Sequence, residues 1–152
     1  MAWPLAIAGL TDTLLSLGRS ADAHALVAAA YAQSKARGMH ATVFEIVRML
    51  GLTEARLGRY DQASARLDQL IADQSALGVS GLNLGASYEA RARAAIWAGD
   101  TQAVKRYSAL AAQQYRYGHG SMLSVRYERL MEEAQMHKRK PRRPLSGEPR
   151  VE

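Results

Sequence analysis

The sequence predicts an all-α fold built by stacking helical pairs. Two sets of glycines recur at nearly one period. Gly18, Gly58 and Gly99 stand 40 and 41 residues apart, and Gly38, Gly78 and Gly118 stand 40 and 40 apart. A fixed repeat of this size marks a stacked array, in which each unit buries its apolar face against its neighbours. Proline is absent from Leu5 to Lys140, so nothing interrupts helices across the body of the chain. Apolar residues there fall at helical spacing, and no two-residue alternation persists.

Seven helices follow. The first runs from about Pro4 to Leu17, with Pro4 in the first turn, where its missing N–H goes unnoticed. The second, with Ser20 as N-cap, reaches Arg37. The third spans about Ala41 to Leu57. The fourth starts after Asp61 and ends before Gly78. The fifth covers about Leu82 to Ala98. Asp100 caps a sixth that ends before Gly118, and the seventh starts at Ser121 and ends near Arg139. Glycine terminates these runs because it enters the left-handed conformation cheaply. Short connections force consecutive helices to fold back on one another. Ala23 and Ala63, each five residues after a turn glycine, let two backbones approach. Val27, Leu67 and Tyr107 then fill the space between pairs. The Gly99 turn reads as one residue shorter than the others, with Ala103 in the alanine position. On the seventh helix, Met122, Val125, Leu130, Met131 and Ala134 are expected to pack on the sixth and cap the array, leaving an outer face for self-association. Trp3-Pro4 opens a helix with no polar cap before it, so either Trp3 packs beneath the first pair or the array is longer.

The net charge of +6 is unevenly placed. Lys138, Arg139, Lys140, Arg142, Arg143 and Arg150 outweigh Glu148 and Glu152, which leaves the body weakly charged. That argues against a nucleic-acid-binding domain. Pro141, Pro144, Pro149 and Gly147 make residues 140–152 a disordered basic tail. Without cysteine there is no disulfide, thiolate nucleophile or cysteine metal site. The longest apolar run, Ala25 to Ala32, is too short to span a bilayer, and no signal-like core follows a basic start. A soluble, cytoplasmic protein is the expectation.

Leu50-Gly51, then Leu57-Gly58-Arg59-Tyr60-Asp61-Gln62-Ala63, then Leu67 and Leu70, resemble a tetratricopeptide repeat. Ile7, Leu10, Leu14, Gly18, Ala23, Val27 and Ala30 match in the first unit. The third departs, with Ala92 where glycine is usual. The family period is about 34 residues, so these helices are longer than the standard unit. That departure is similar to the extended repeats of large bacterial signalling proteins, such as ATP-dependent transcription activators and multidomain Ser/Thr kinases. The resemblance implies a right-handed α-solenoid of three antiparallel helix pairs (about 3–38, 41–78 and 82–118) plus a capping helix at 121–139. It also implies a non-catalytic protein–protein interaction module, a scaffold or the regulatory end of a signalling protein.

In that family the first helix of each pair lines a concave groove. Carried over, the groove positions are Leu5 and Leu15, then Glu45, Arg48, Leu52 and Arg56, then Glu89, Arg93, Ile96 and Trp97, then Arg126, Arg129 and Glu133. Arginine forks match carboxylates bidentately and tryptophan anchors interfaces, so a peptide with acidic and apolar side chains is the expected partner. The competing reading pairs these arginines with Glu45, Glu89, Glu128 and Glu133 in a solvated ladder and puts Trp97 in the core. A second functional reading is a regulatory domain sensing a peptide or small molecule between helices. A third uses Lys138, Arg139, Lys140, Arg142 and Arg143 to grip nucleic acid or an anionic membrane. His24, His40, His119 and His137 have no metal-ligand spacing, and Glu133 with His137 reads as a solvated pair. The loop Gly118-His119-Gly120-Ser121 lacks a preceding strand and a P-loop lysine, and Gly78, Gly81 and Gly85 form no dinucleotide fingerprint. No catalytic constellation, metal site or cofactor is expected.

Overall fold

The computed structural model describes the backbone of residues 3–38, 40–115 and 122–139, and within them the side chains of 6–38, 43–115 and 125–138. The described residues are all-α: α1 (Trp3–Ser16), α2 (Ser20–Ala36), α3 (His40–Arg56), α4 (Tyr60–Ala76), α5 (Leu82–Ala98), α6 (Thr101–Tyr115) and α7 (Met122–Arg139). None of these helices is long and apolar enough to cross a membrane. Residues 140–152, Gly118, His119 and Ser121 lie outside the described residues, as do the side chains of Trp3, Leu5, Met122 and Arg139.

The turn glycines act as their spacing predicts. Gly58 has φ +77°, and its N–H bonds the Ala55 carbonyl while Arg59 N–H bonds that of Glu54, both at 3.0 Å. This paired closure satisfies carbonyls that the helix end leaves free, and it recurs at Gly18, Gly78 and Gly99. The helix starts differ from expectation. Arg19 and Arg59 occupy the N-cap positions without side-chain caps, and Ser20 and Tyr60 are already helical. The residue that completes the glycine closure also takes the N-cap position, so Ser20 falls inside the first helical turn. Asp22 and Asp61 instead place negative charge in the first turn, where the helix dipole favours it. Asp100 does cap α6, its Oδ1 accepting Ala103 N–H at 3.0 Å.

The Gly99 turn is not shortened. Ala23, Ala63 and Val104 each donate a backbone bond four residues back, to Arg19, Arg59 and Asp100. Val104, not Ala103, therefore stands at the alanine position, and α6 is offset from α4 by 41 residues. The same offset turns Leu67 into Ser108 and Gly51 into Ala92. The extra methyl at Ala92 thus coincides with a smaller residue at Ser108, which explains why glycine is dispensable there. Tyr107 is 8% exposed but lies one position round the helix from the Val27 and Leu67 sites.

Each helix packs on its chain neighbours, and α1, α3, α5 and α7 also pack side by side in that order. Three apolar clusters lie between them. Val27 and Ala30 meet Ile46, Met49 and Leu50; Leu67 and Leu70 meet Ala90 and Ala94; Leu130 and Ala134 join Ala92, Ile96 and Tyr107. Of the capping face expected on α7, Leu130 and Ala134 are buried and Met131 is half-buried, while Val125 is exposed. Ile96 belongs to the core rather than to any groove. A buried polar staple joins α3 to α4: Glu54, only 1% exposed, accepts two 2.8 Å bonds from Arg66 and one of 2.9 Å from Gln62.

Candidate functional site

The helical repeat sets Glu45, Arg48, Leu52 and Arg56 along one stripe of α3, and Glu89, Arg93 and Trp97 along one stripe of α5. Because the odd-numbered helices are adjacent, these stripes join with α7 into one surface. Glu89 is its centre. At 5% exposure it accepts Tyr115 Oη–H at 2.8 Å and the guanidinium groups of Arg93 at 3.2 Å and Arg126 at 3.1 Å. Arg93 extends the chain to Glu133 at 3.1 Å. The other Glu133 oxygen accepts Trp97 Nε1–H at 2.9 Å. Arg56 then lies over the Trp97 ring, 4.4 Å from its centroid. Arg48 pairs with Glu45 and reaches Ser87 Oγ at 3.4 Å.

The arginines expected to await an acidic partner are mostly occupied. Arg48, Arg93 and Arg126 are neutralised within the protein, because α3, α5 and α7 each contribute a carboxylate to the same surface. Nor is the ladder simply solvated, since its hub is buried. Glu128 is exposed and forms no ion pair among the described residues, and Glu133 serves Arg93 and Trp97 rather than forming a solvated pair with the exposed His137. Trp97 is half-buried, packed on two core clusters by its ring and bonded by its N–H. Leu52 and Leu15 are half-buried. Arg56 and Arg129 remain exposed, and neither forms an ion pair among the described residues. Of the basic tail residues, Lys138 is exposed at the end of α7, while Lys140, Arg142, Arg143 and the Arg139 side chain lie outside the described residues.

Asp12 of α1 joins this surface, although only leucines of α1 suggest themselves from sequence. Partial withdrawal from water raises its pKa, Arg93 and Arg126 lower it, and Glu45 raises it. Tyr115, on α6, is the other participant with no local sequence signal; it is buried and closes the network from behind.

On the opposite side, Asp68 accepts Arg91 Nε–H at 2.9 Å and Tyr107 Oη–H at 2.7 Å, with the Arg91 guanidinium 4.8 Å from the Tyr107 ring centroid. This trio binds α4, α5 and α6 together. Among the described residues no three histidine or carboxylate side chains gather where a metal ion would sit.

Burial, then the charge and hydrogen bond of Glu89, push the Tyr115 phenol well above its ordinary value, and burial and Asp68 raise Tyr107. Both folded-state values exceed the unfolded one, so their stabilisation is complete below about pH 10 and is lost as pH rises above it. Urea midpoints are expected to fall from about pH 10 upward, and to fall less steeply in Tyr115→Phe. Equal slopes in both proteins would contradict the assignment.

Comparison with family models, with curated proteins and with solved structures finds no match to this chain.

Proposed function

We propose that the chain is a non-catalytic protein–protein interaction module of the tetratricopeptide-repeat type. In this reading it is a right-handed solenoid of three antiparallel helical pairs closed by α7, and a segment of a partner protein lies along the odd-helix face. The observation that carries the reading is the continuous surface formed by α3, α5 and α7, where Glu89 gathers Arg93 and Arg126 and Arg56 lies over Trp97. The internal ion pairs refine what binds there. Their carboxylates offset most of the arginine charge, so the partner is not held by a broad positive field. Arg56, spread over Trp97, offers a flat cationic and aromatic platform with Leu52 nearby on the same stripe. Arg129, exposed and without an ion pair among the described residues, adds a fork on α7. A segment with an apolar side chain for the platform and a carboxylate for Arg56 or Arg129 suits this arrangement.

Arg56→Glu/Arg129→Glu is the test, because both side chains are exposed and their reversal leaves the core intact. Proteins captured by the native chain are expected to bind the double variant about tenfold more weakly, with circular dichroism unchanged. Equal affinity for a folded double variant would reject this face as the binding surface.

A further inference from the structure

Between α6 and α7 lies an open cleft of about 740 Å³, away from the odd-helix face. Its lining includes Val104, Ala109, Met131 and Ala134, with Lys105 and Lys138 among its polar members and no carboxylate among the described residues. The fold contains an occupied counterpart one unit earlier. There α6 packs on α5, and Tyr107 reaches across to Ile71, Asp68 and Arg91. The two clefts correspond residue by residue. The 41-residue offset from α4 to α6 takes Asp68 to Ala109. The burial pattern gives a 40-residue offset from α5 to α7: the buried Ala90 and Ala94 correspond to the buried Leu130 and Ala134, which takes Arg91 to Met131.

The chemistry of the cleft has changed along with its position. In the occupied cleft an aspartate receives a helix that brings Arg106 and a tyrosine hydroxyl. In the open one the Asp68 and Arg91 positions are apolar and the charge is that of two lysines. We propose that the α6–α7 cleft is a docking site for an acidic amphipathic helix of a partner protein, seated as α6 is seated on α4 and α5. An apolar or aromatic anchor would lie against Ala109 and Met131, and carboxylates would meet Lys105 and Lys138. Charge disfavours a second copy as the occupant, because its α6 and α7 helices would bring the same two lysines. This site is independent of the odd-helix face.

Two peptides test it. One has the α6 sequence, Thr101 to Tyr115; the other differs only in glutamate at the positions of Gln102 and Arg106, which face Asp68 and Arg91 in the occupied cleft. Titrated with the full chain by fluorescence anisotropy, the acidic peptide is expected to bind about tenfold more tightly than the basic one. The exposed pair Lys105→Glu/Lys138→Glu is expected to reverse that order. Ser108→Trp, which fills the cleft, is expected to abolish binding of both, whereas Arg56→Glu/Arg129→Glu leaves it unchanged. A preference that survives the lysine reversal overturns the proposal, as does acidic-peptide binding that survives cleft filling in a folded variant. Absence of binding at the solubility limit, or a dimer in sedimentation that Met131→Asp dissolves, overturns it as well.

Discussion

Glu89→Ala is expected to lower the unfolding free energy by about 3 kcal/mol, while Arg126→Ala costs less than about 1 kcal/mol. The two residues share one ion pair, but Glu89 also holds Arg93 and Tyr115. Burial separates them. The Glu89 side chain is 5% exposed and that of Arg126 44%. When Arg126 is removed, Glu89 keeps Arg93 and the Tyr115 hydroxyl, and water reaches the space left behind. When Glu89 is removed, the Tyr115 hydroxyl loses its partner in a buried setting, which alone costs about 1–3 kcal/mol. Arg93 keeps Glu133, and Arg126 turns to solvent, so the loss stays below that of an isolated buried pair. For a chain of this size about 3 kcal/mol corresponds to a fall of about 6–12 °C in Tm. Tyr115→Phe in the Glu89→Ala background should then cost almost nothing, because the hydroxyl is already unpaired. Calorimetry on the four proteins of this cycle measures the coupling directly. Similar losses for Glu89→Ala and Arg126→Ala would mean that Glu89 is solvated and that the face is an ordinary surface ladder.

The same cycle shows where sequence reasoning reaches its limit. Helix existence was legible because its signals are local. A glycine at positive φ ends a helix through bonds to residues three to five positions back, and a stripe of side chains follows from helical periodicity alone. Glu45, Arg48, Leu52 and Arg56 share such a stripe, although it is the family resemblance that marks them as groove positions. What a stripe meets is another matter. Arg93 finds Glu133 forty residues away, and Tyr115 reaches Glu89 from the far side of the helix pair. These partners depend on how neighbouring helices are rotated, and rotation is set by packing. The alignment of α6 illustrates the sensitivity. Ala103 matches the repeat in residue type, but backbone bonding puts Val104 in its place, and one residue of slip rotates every α6 side chain by about 100°. Tyr107 consequently leaves the Leu67 site and joins Asp68 and Arg91 instead.

Gly51→Ala is expected to destabilise the protein by about 2 kcal/mol although alanine is the better helix former. A β-carbon at position 51 would lie 2.7 Å from Leu67 Cγ and 2.8 Å from its Cδ2. Leu67 is fully buried among Ala55, Ala63 and Ala90, so the branch point of its side chain has no free volume into which to retreat. Gly9→Ala is the control. Gly9 is also helical, but nothing lies within 4 Å of its β-carbon position, and that change should stabilise by about 0.5–1 kcal/mol through propensity alone. The decisive member is Gly51→Ala in a Leu67→Ala background. Leu67→Ala costs about 2–5 kcal/mol by itself. With the leucine gone, the new methyl occupies the vacated space, and the effect of Gly51→Ala should change sign to a gain of about 0.5–1 kcal/mol. The third helical pair already carries a version of this exchange, with Ala92 and Ser108 at the corresponding positions. Chemical denaturation of the single and double variants reads the sign. If Gly51→Ala costs the same with leucine or alanine at position 67, close helix approach is not what requires the glycine, and the Ala92–Ser108 pairing has lost its explanation.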